Sequence, residues 1–204
     1  MKFSQILTAS LLPSPPRSPS PRARASCPDQ RRAVPWYRAF NAKAVDHFYT
    51  TNEGEFNRAV ANLGYTNEGI AALIFTQLQP GTVPFYRDFN SQKIDHFYTT
   101  NLQESNNAVQ TGGYTAEGIT GWIYPDSSCR GTVPLFRLFN PTRVDHFYTT
   151  NANERNTALQ NGYNNEGIVG YVIPFRLQGY VPYSCFSING VKMAELRLST
   201  AAGA

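Results

Sequence analysis

A chain of 204 residues, 41 % hydrophobic and 16 % charged, has the composition of a globular protein large enough to bury a core. No run approaches the roughly 18 consecutive apolar residues of a membrane helix, so a helical span is excluded. The net charge of +4 sits at the ends: residues 1–33 carry +5, residues 34–174 carry −3 and residues 175–204 carry +2. The acidic middle offers no phosphate-binding surface, and a nucleic-acid partner is not expected.

The chain opens like a secretory leader, with Lys2 followed by a short apolar run through Leu12. That run is interrupted by the Pro/Ser/Arg-rich stretch Pro13–Arg24, a composition that reads as disordered. Ala23-Arg24-Ala25 precedes Cys27 in the pattern of a signal-peptidase site. Residues 1–26 are therefore read as a degenerate signal peptide plus a disordered arm, and the protein as extracellular; a disordered arm on a cytosolic protein is the alternative. Of three cysteines, Cys27 and Cys129 could form a disulfide tying the N-terminal edge to the middle of the domain, leaving Cys185 over. Three free thiols in a reducing compartment is the competing reading.

From residue 34 onward one unit occurs three times. The histidines His47, His96 and His146 are the only ones in the chain, and each lies in Asp-His-Phe-Tyr-Thr-Thr, beginning at Asp46, Asp95 and Asp145. Upstream stands Val-Pro-x-(Tyr/Phe)-Arg-x-Phe-Asn from Val34, Val83 and Val133, and downstream Gly-Tyr-x-x-Glu-Gly-Ile from Gly64, Gly113 and Gly162. In each unit the two aromatic, β-branched runs predict a hairpin. Asn52, Asn101 and Asn151, with Glu55, Glu104 and Glu154 three residues on, predict a short helix opened by a capping box. Gly64, Gly112 and Gly162 stand where a helix C-cap glycine is expected. A last strand is predicted through Ile70–Phe75, Ile119–Tyr124 and Ile168–Ile173, apolar in both phases and so covered on both sides.

A unit this short cannot bury its own apolar faces, so three must pack together. The expected fold is β-rich α+β: a closed, pseudo-threefold domain over residues 27–174, with repeats 34–82, 83–132 and 133–174, β-trefoil-like at most. Gly179–Phe186 resembles the start of a fourth copy, making residues 175–204 a partial repeat and tail.

At these motifs the chain resembles a secreted fungal and bacterial repeat family of unknown function, marked by Val-Pro-Leu-Tyr-Arg, Asp-His-Phe-Tyr-Thr-Thr and Gly-Tyr-x-x-Glu-Gly segments. The likeness spans about residues 33–174; in the second copy it falls on Val83–Arg87, Asp95–Thr100 and Gly113–Gly118. It implies secretion and, in bacteria, an accessory module beside wall- or polysaccharide-acting hydrolases, with no catalytic residues to carry over.

Each copy supplies an Arg (Arg38, Arg87, Arg137), an Asp (Asp46, Asp95, Asp145), a His and a Glu (Glu68, Glu117, Glu166). Strand alternation sets Arg38 beside Trp36 and Phe40, where a buried guanidinium requires a carboxylate partner. Adjacent Asp and His point to opposite faces, so any Asp–His bond has to come from another copy or another strand. Three histidines meeting on the axis could instead hold Zn²⁺. The Arg, Asp and His sets with Tyr65, Tyr114 and Tyr163 are the candidate ligand-binding residues, and the three glutamates a structural polar network; Tyr37, Tyr86 and Phe136 are further aromatic candidates. No nucleophile elbow, zinc-helix or phosphate-loop motif is present, and no cofactor is expected. The leading expectation is a non-catalytic, lectin-like module with three weak glycan or cell-wall polysaccharide sites; a structural or protein-interaction role and a polysaccharide hydrolase are the alternatives.

Overall fold

The computed structural model describes residues 27–175; the interrupted leader and the partial fourth repeat lie outside them. Each unit folds as hairpin, helix, strand. The first comprises β1 (Val34–Asn41), β2 (Asp46–Thr50), α1 (Glu53–Asn62) and β3 (Thr66–Ile74). The second comprises β4 (Val83–Asn90), β5 (Asp95–Thr99), α2 (Leu102–Thr111) and β6 (Thr115–Ile123). The third comprises β7 (Val133–Asn140), β8 (Asp145–Thr149), α3 (Ala152–Gln160) and β9 (Asn164–Val172). Within a unit the first strand is central, giving three antiparallel sheets in the orders β2-β1-β3, β5-β4-β6 and β8-β7-β9. The β-rich α+β expectation holds, while trefoil strand pairing is not among the observed pairings.

The sheets are linked end to end in a cycle. Isolated bridges join Phe75 to Trp122, Tyr124 to Tyr171, and Ile173 back to Leu73. The apolar centre is built from one aliphatic or aromatic layer per unit, Trp36, Phe85 and Leu135, packed with Ile74, Ile123 and Val172. Their fit explains two glycines. A Cβ on Gly121 would lie 2.5 Å from Ile74 Cδ1, and one on Gly170 would lie 2.5 Å from Ile123 Cδ1. In the remaining unit the corresponding residue is Ala72, and the neighbour is the shorter Val172.

Three local readings need correction. Gly112 is the C-cap of α2 as expected, whereas the C-caps of α1 and α3 are Leu63 and Asn161, with the positive-φ glycines Gly64 (77°) and Gly162 (87°) one residue later. The last strands begin earlier than expected and take in Glu68, Glu117 and Glu166. Their C-terminal halves are covered on both faces as expected, Leu73, Trp122 and Tyr171 packing against one apolar cluster and Ile74, Ile123 and Val172 against another, but Ile119 and Ile168 nearer the start are half exposed. Simple alternation fails on the central strands because their register shifts, between Trp36 and Tyr37 and again before Ala39 in the first unit, so Trp36 and Ala39 are both buried with two residues between them.

The hairpin loops are strained in the same way three times. Val45, Ile94 and Val144 hold φ of 57°, 53° and 54°, a left-handed conformation that β-branched residues rarely adopt. Each loop is pinned by its preceding asparagine: Asn41 Oδ1 accepts from the Lys43 and Ala44 amides, and its Nδ2 donates to the Leu63 carbonyl. That bend delivers the following Asp to the centre of the molecule.

Candidate functional site

Around the axis, tyrosines close a ring. The Tyr98 hydroxyl accepts from the Tyr49 amide and donates to the Tyr49 carbonyl. Tyr148 does the same for Tyr98, and Tyr49 for Tyr148. All three are fully buried. Burial holds each phenol's pKa well above its ordinary value, so the ring stays protonated and donating.

Next to that ring each Asp serves the following unit. Asp46 Oδ1 accepts from the His96 amide and its Oδ2 from His96 Nδ1 at 2.8 Å, and it also receives the Tyr65 hydroxyl. Asp95 holds His146 and Tyr114 in the same way, and Asp145 holds His47 and Tyr163. Of the two routes open to an Asp–His bond, another copy or another strand, it is the neighbouring copy that supplies it, and these pairs join the units. Burial alone would raise the Asp95 pKa, but the hydrogen bond and charge of His146, with Tyr114, hold it below its ordinary value. Carboxylate oxygens of Asp46, Asp95 and Asp145 lie within 4.8 Å of one another. Every one of these oxygens already accepts an intramolecular hydrogen bond. It is thus the carboxylates, not the histidines, that converge here, which leaves the axial His₃ zinc arrangement without its geometry.

Farther out, each Arg is clamped by two glutamates from two units. Arg87 donates from both terminal nitrogens to Glu55 (3.1 and 2.9 Å), and its Nε lies 2.7 Å from Glu117. Arg137 repeats this with Glu104 and Glu166, and Arg38 with Glu154 and Glu68. The guanidinium also lies over the ring of Phe48, Phe97 or Phe147. Burial would lower the arginines' pKa, yet the surrounding carboxylates and phenols raise it, so these cations are permanent. Burial likewise pushes Glu55, Glu104 and Glu154 up, while their arginine partners and the threonine hydroxyls of Thr50, Thr99 and Thr149 bring them below 4.5.

These glutamates are the residues that reading the sequence misassigned. They were expected to close a capping box, but the Asn52 amide donates to Thr50 Oγ1 instead, and the Glu55 carboxylate is turned to the next unit. Asn52 itself caps the helix as expected, accepting from the Glu55 amide. The signal was present in the strict repetition of Thr-Thr-Asn-x-x-Glu, since a cap alone tolerates more variety.

Two of the unit junctions form clefts. Between the second and third units a cleft of about 260 Å³ is lined by Phe97, Glu104 and Tyr114 on one side and Arg137, His146 and Glu166 on the other. Between the first and second units, one of about 200 Å³ is lined by the corresponding Phe48, Glu55, Tyr65, His96 and Glu117. At the junction of the third with the first, the same pairs recur through Phe147, Glu154, Tyr163, Arg38, His47 and Glu68. The imidazole lies between two rings, His146 between Phe97 and Phe139, with Nε2 3.9 Å from Glu166. Thus the Arg, Asp, His, Glu and Tyr sets are brought together, each drawn from two adjacent units. Tyr37 and Phe136 lie elsewhere: Tyr37 stacks on Phe56, and Phe136 lies under Arg155.

Cys27 and Cys129 form a disulfide, joining the start of the described chain to the link between the second and third units. Gln30 Nε2 reinforces it by donating to the Arg130 carbonyl. Among the described residues no helix is long and apolar enough to cross a membrane. Neither curated proteins nor solved structures provide a match. A family model does match over residues 35–173, most of the described chain, and on that ground the protein belongs to the domain-of-unknown-function family DUF5648.

Proposed function

We propose that this protein is a non-catalytic, secreted binding module whose inter-unit clefts each hold one unit of a glycan or cell-wall polysaccharide. The observation that carries this reading is the recurrence of one cleft chemistry at two junctions, aromatic rings beside fixed charged groups, with the same residue pairs at the third. A polymer that engages several such clefts gains avidity no single cleft supplies. The volumes fall below the roughly 300–1,000 Å³ of sites for drug-sized ligands, so each cleft suits one small unit. Non-catalytic action is supported by what surrounds the histidines. Asp95 orients His146 as a general base would be oriented, but no serine or cysteine lines that cleft, and the hydroxyl of its one threonine, Thr111, donates to the Asn107 carbonyl. The disulfide supports an oxidising, extracellular setting.

A glycan array, together with pull-down on insoluble chitin and β-glucan, tests the proposal on the full chain produced in an oxidising compartment. Binding to one polysaccharide class is the expected result. A folded sample that retains none of them would overturn it in favour of a protein-interaction role.

A further inference from the structure

Apart from the junction clefts, we infer that the groove between α2 and β6 in the second unit is a docking site for an arginine side chain of a protein partner, its guanidinium lying on the Tyr86 ring and donating to Asn106 Oδ1. The first unit shows the shape of this groove. There a cavity of about 330 Å³ is lined by Tyr37, Glu53, Phe56, Asn57 and Ile70, with Gly69 at its edge. The repeat places Tyr86, Leu102, Ser105, Asn106 and Ile119 at the corresponding positions, and Tyr86 stands opposite Ile119 in the sheet as Tyr37 stands opposite Ile70.

The three units differ in what covers the ring. In the first, Phe56 stacks on Tyr37 with 5.0 Å between centroids. In the third, Arg155 holds its guanidinium 4.4 Å from the centre of the Phe136 ring and donates to Asn156 Oδ1 at 3.1 and 2.9 Å. The second unit has Ser105 at this helix position, its hydroxyl turned to Asp88, and among the described residues no other ring or cation lies on Tyr86. Leu102 and Ile119 beside it are half exposed. The asparagine that receives Arg155 recurs in every unit, as Asn57, Asn106 and Asn156, and is exposed in each. Its helix neighbours vary, with Glu53, Leu102 and Ala152 before it and Arg58, Asn107 and Thr157 after it.

Charge then separates arginine from an aromatic occupant. Beneath the same point of the helix, where the first unit has Ala39 and the third Leu138, the second has Asp88. Asp88 is 1 % exposed, its Oδ2 has no partner, and it forms no ion pair among the described residues. A buried carboxylate left short of a donor and a cation is costly to keep, and it is kept in the one unit whose ring is uncovered. A guanidinium seated on Tyr86 supplies the missing positive charge, stacks on the ring and lays its aliphatic stem along Leu102 and Ile119. Lysine brings the charge without the planar face or the fork of donors.

The test titrates the isotope-labelled full chain at neutral pH, followed by NMR, with acetyl-Gly-Arg-Gly-amide, its lysine counterpart and an N-acetylglucosamine hexamer. The arginine peptide should shift the backbone signals of Tyr86, Leu102, Asn106 and Ile119 and bind about fivefold tighter than the lysine peptide or better. Asp88→Leu, which installs the third unit's residue, and Asn106→Leu, an exposed helix change, should each weaken it several-fold. Ser105→Arg, which installs the third unit's own occupant, should abolish binding and raise the thermal midpoint by giving Asp88 a cation. Equal binding of the two peptides overturns the inference, as do shifts that map elsewhere on the molecule. Indifference to both Asp88→Leu and Asn106→Leu does the same. If the saccharide alone moves the Tyr86 signal, the groove is a sugar subsite and the arginine assignment falls.

Discussion

The axis and the periphery of this molecule obey different rules. Along the axis the three units carry the same residues in the same bonds: the Tyr49, Tyr98 and Tyr148 ring, the Asp–His pairs and the Arg–Glu clamps. Beneath the helices they diverge. Ala39 packs below Phe56 in the first unit, Asp88 accepts from Ser105 in the second, and Leu138 packs with Phe147 and Ala158 in the third. The difference teaches where the constraint lies. A contact made between units must suit both partners at every junction, whereas a contact inside one unit need only suit itself, as a small residue under a large one or a polar pair together.

The largest break in that contrast is expected from Asp95→Ala. It leaves the His146 amide, His146 Nδ1 and the Tyr114 hydroxyl without their acceptor, and should cost about 3–5 kcal/mol in chemical denaturation. A loss near that of an ordinary surface change would mean the axis does not couple the units. Tyr98→Phe should follow at about 2–3 kcal/mol, because one hydroxyl serves both the amide and the carbonyl of Tyr49.

The periphery predicts a gain. Burial raises the Asp88 pKa to about 6, against the opposing Ser105 hydrogen bond and with help from the charge of Glu117. Its Oδ2 has no partner. Because the folded value lies above the ordinary 3.8, the cost of ionising it is absent at low pH. It grows as pH rises through about 6. Asp88→Leu, which installs the third unit's residue, should therefore stabilise by roughly 2 kcal/mol at neutral pH and by less near pH 4. Thermal unfolding at the two pH values measures this, and a gain independent of pH would contradict the assignment.

The smallest effects belong to the clamps. Glu55, Glu104 and Glu154 have folded pKa values below the ordinary 4.5, so their contribution is complete above that pH and is lost as pH falls beneath it. They are about a third exposed, and solvent screening keeps each near 1 kcal/mol. Glu104→Gln should accordingly flatten the acid limb of the stability curve while changing neutral stability little; an unchanged acid limb would assign the acid loss elsewhere.

Much of this organisation is legible before any coordinates. The histidine-centred motif gives the unit, the asparagines give the helix starts, and the opposite facing of adjacent Asp and His residues implies that bonds between them come from another copy or another strand. What was not legible depended on geometry that has no local cue. The register shifts beside Tyr37 put Trp36 and Ala39 on one buried side despite their odd spacing, which simple alternation cannot anticipate. The role of Glu55 was hidden because a helix cap and a clamp reaching the next unit ask for the same residue at the same place. The tyrosine ring was hidden too, since Tyr49 lies in a hexapeptide whose histidine and aspartate draw attention first.

The cyclic hand-over of Asp and Glu side chains has a consequence for assembly. A free-standing copy would own half of each junction: an aspartate with no histidine to hold, and an arginine with one glutamate of its two. Nothing in the contacts requires that the copies share a backbone. Three identical single-unit chains could close the same ring, and their folding would then vary with the third power of protein concentration. In the present chain the two linkers convert that third-order encounter into a first-order one, which makes order of reaction, rather than new contacts, what covalent tandem repetition adds.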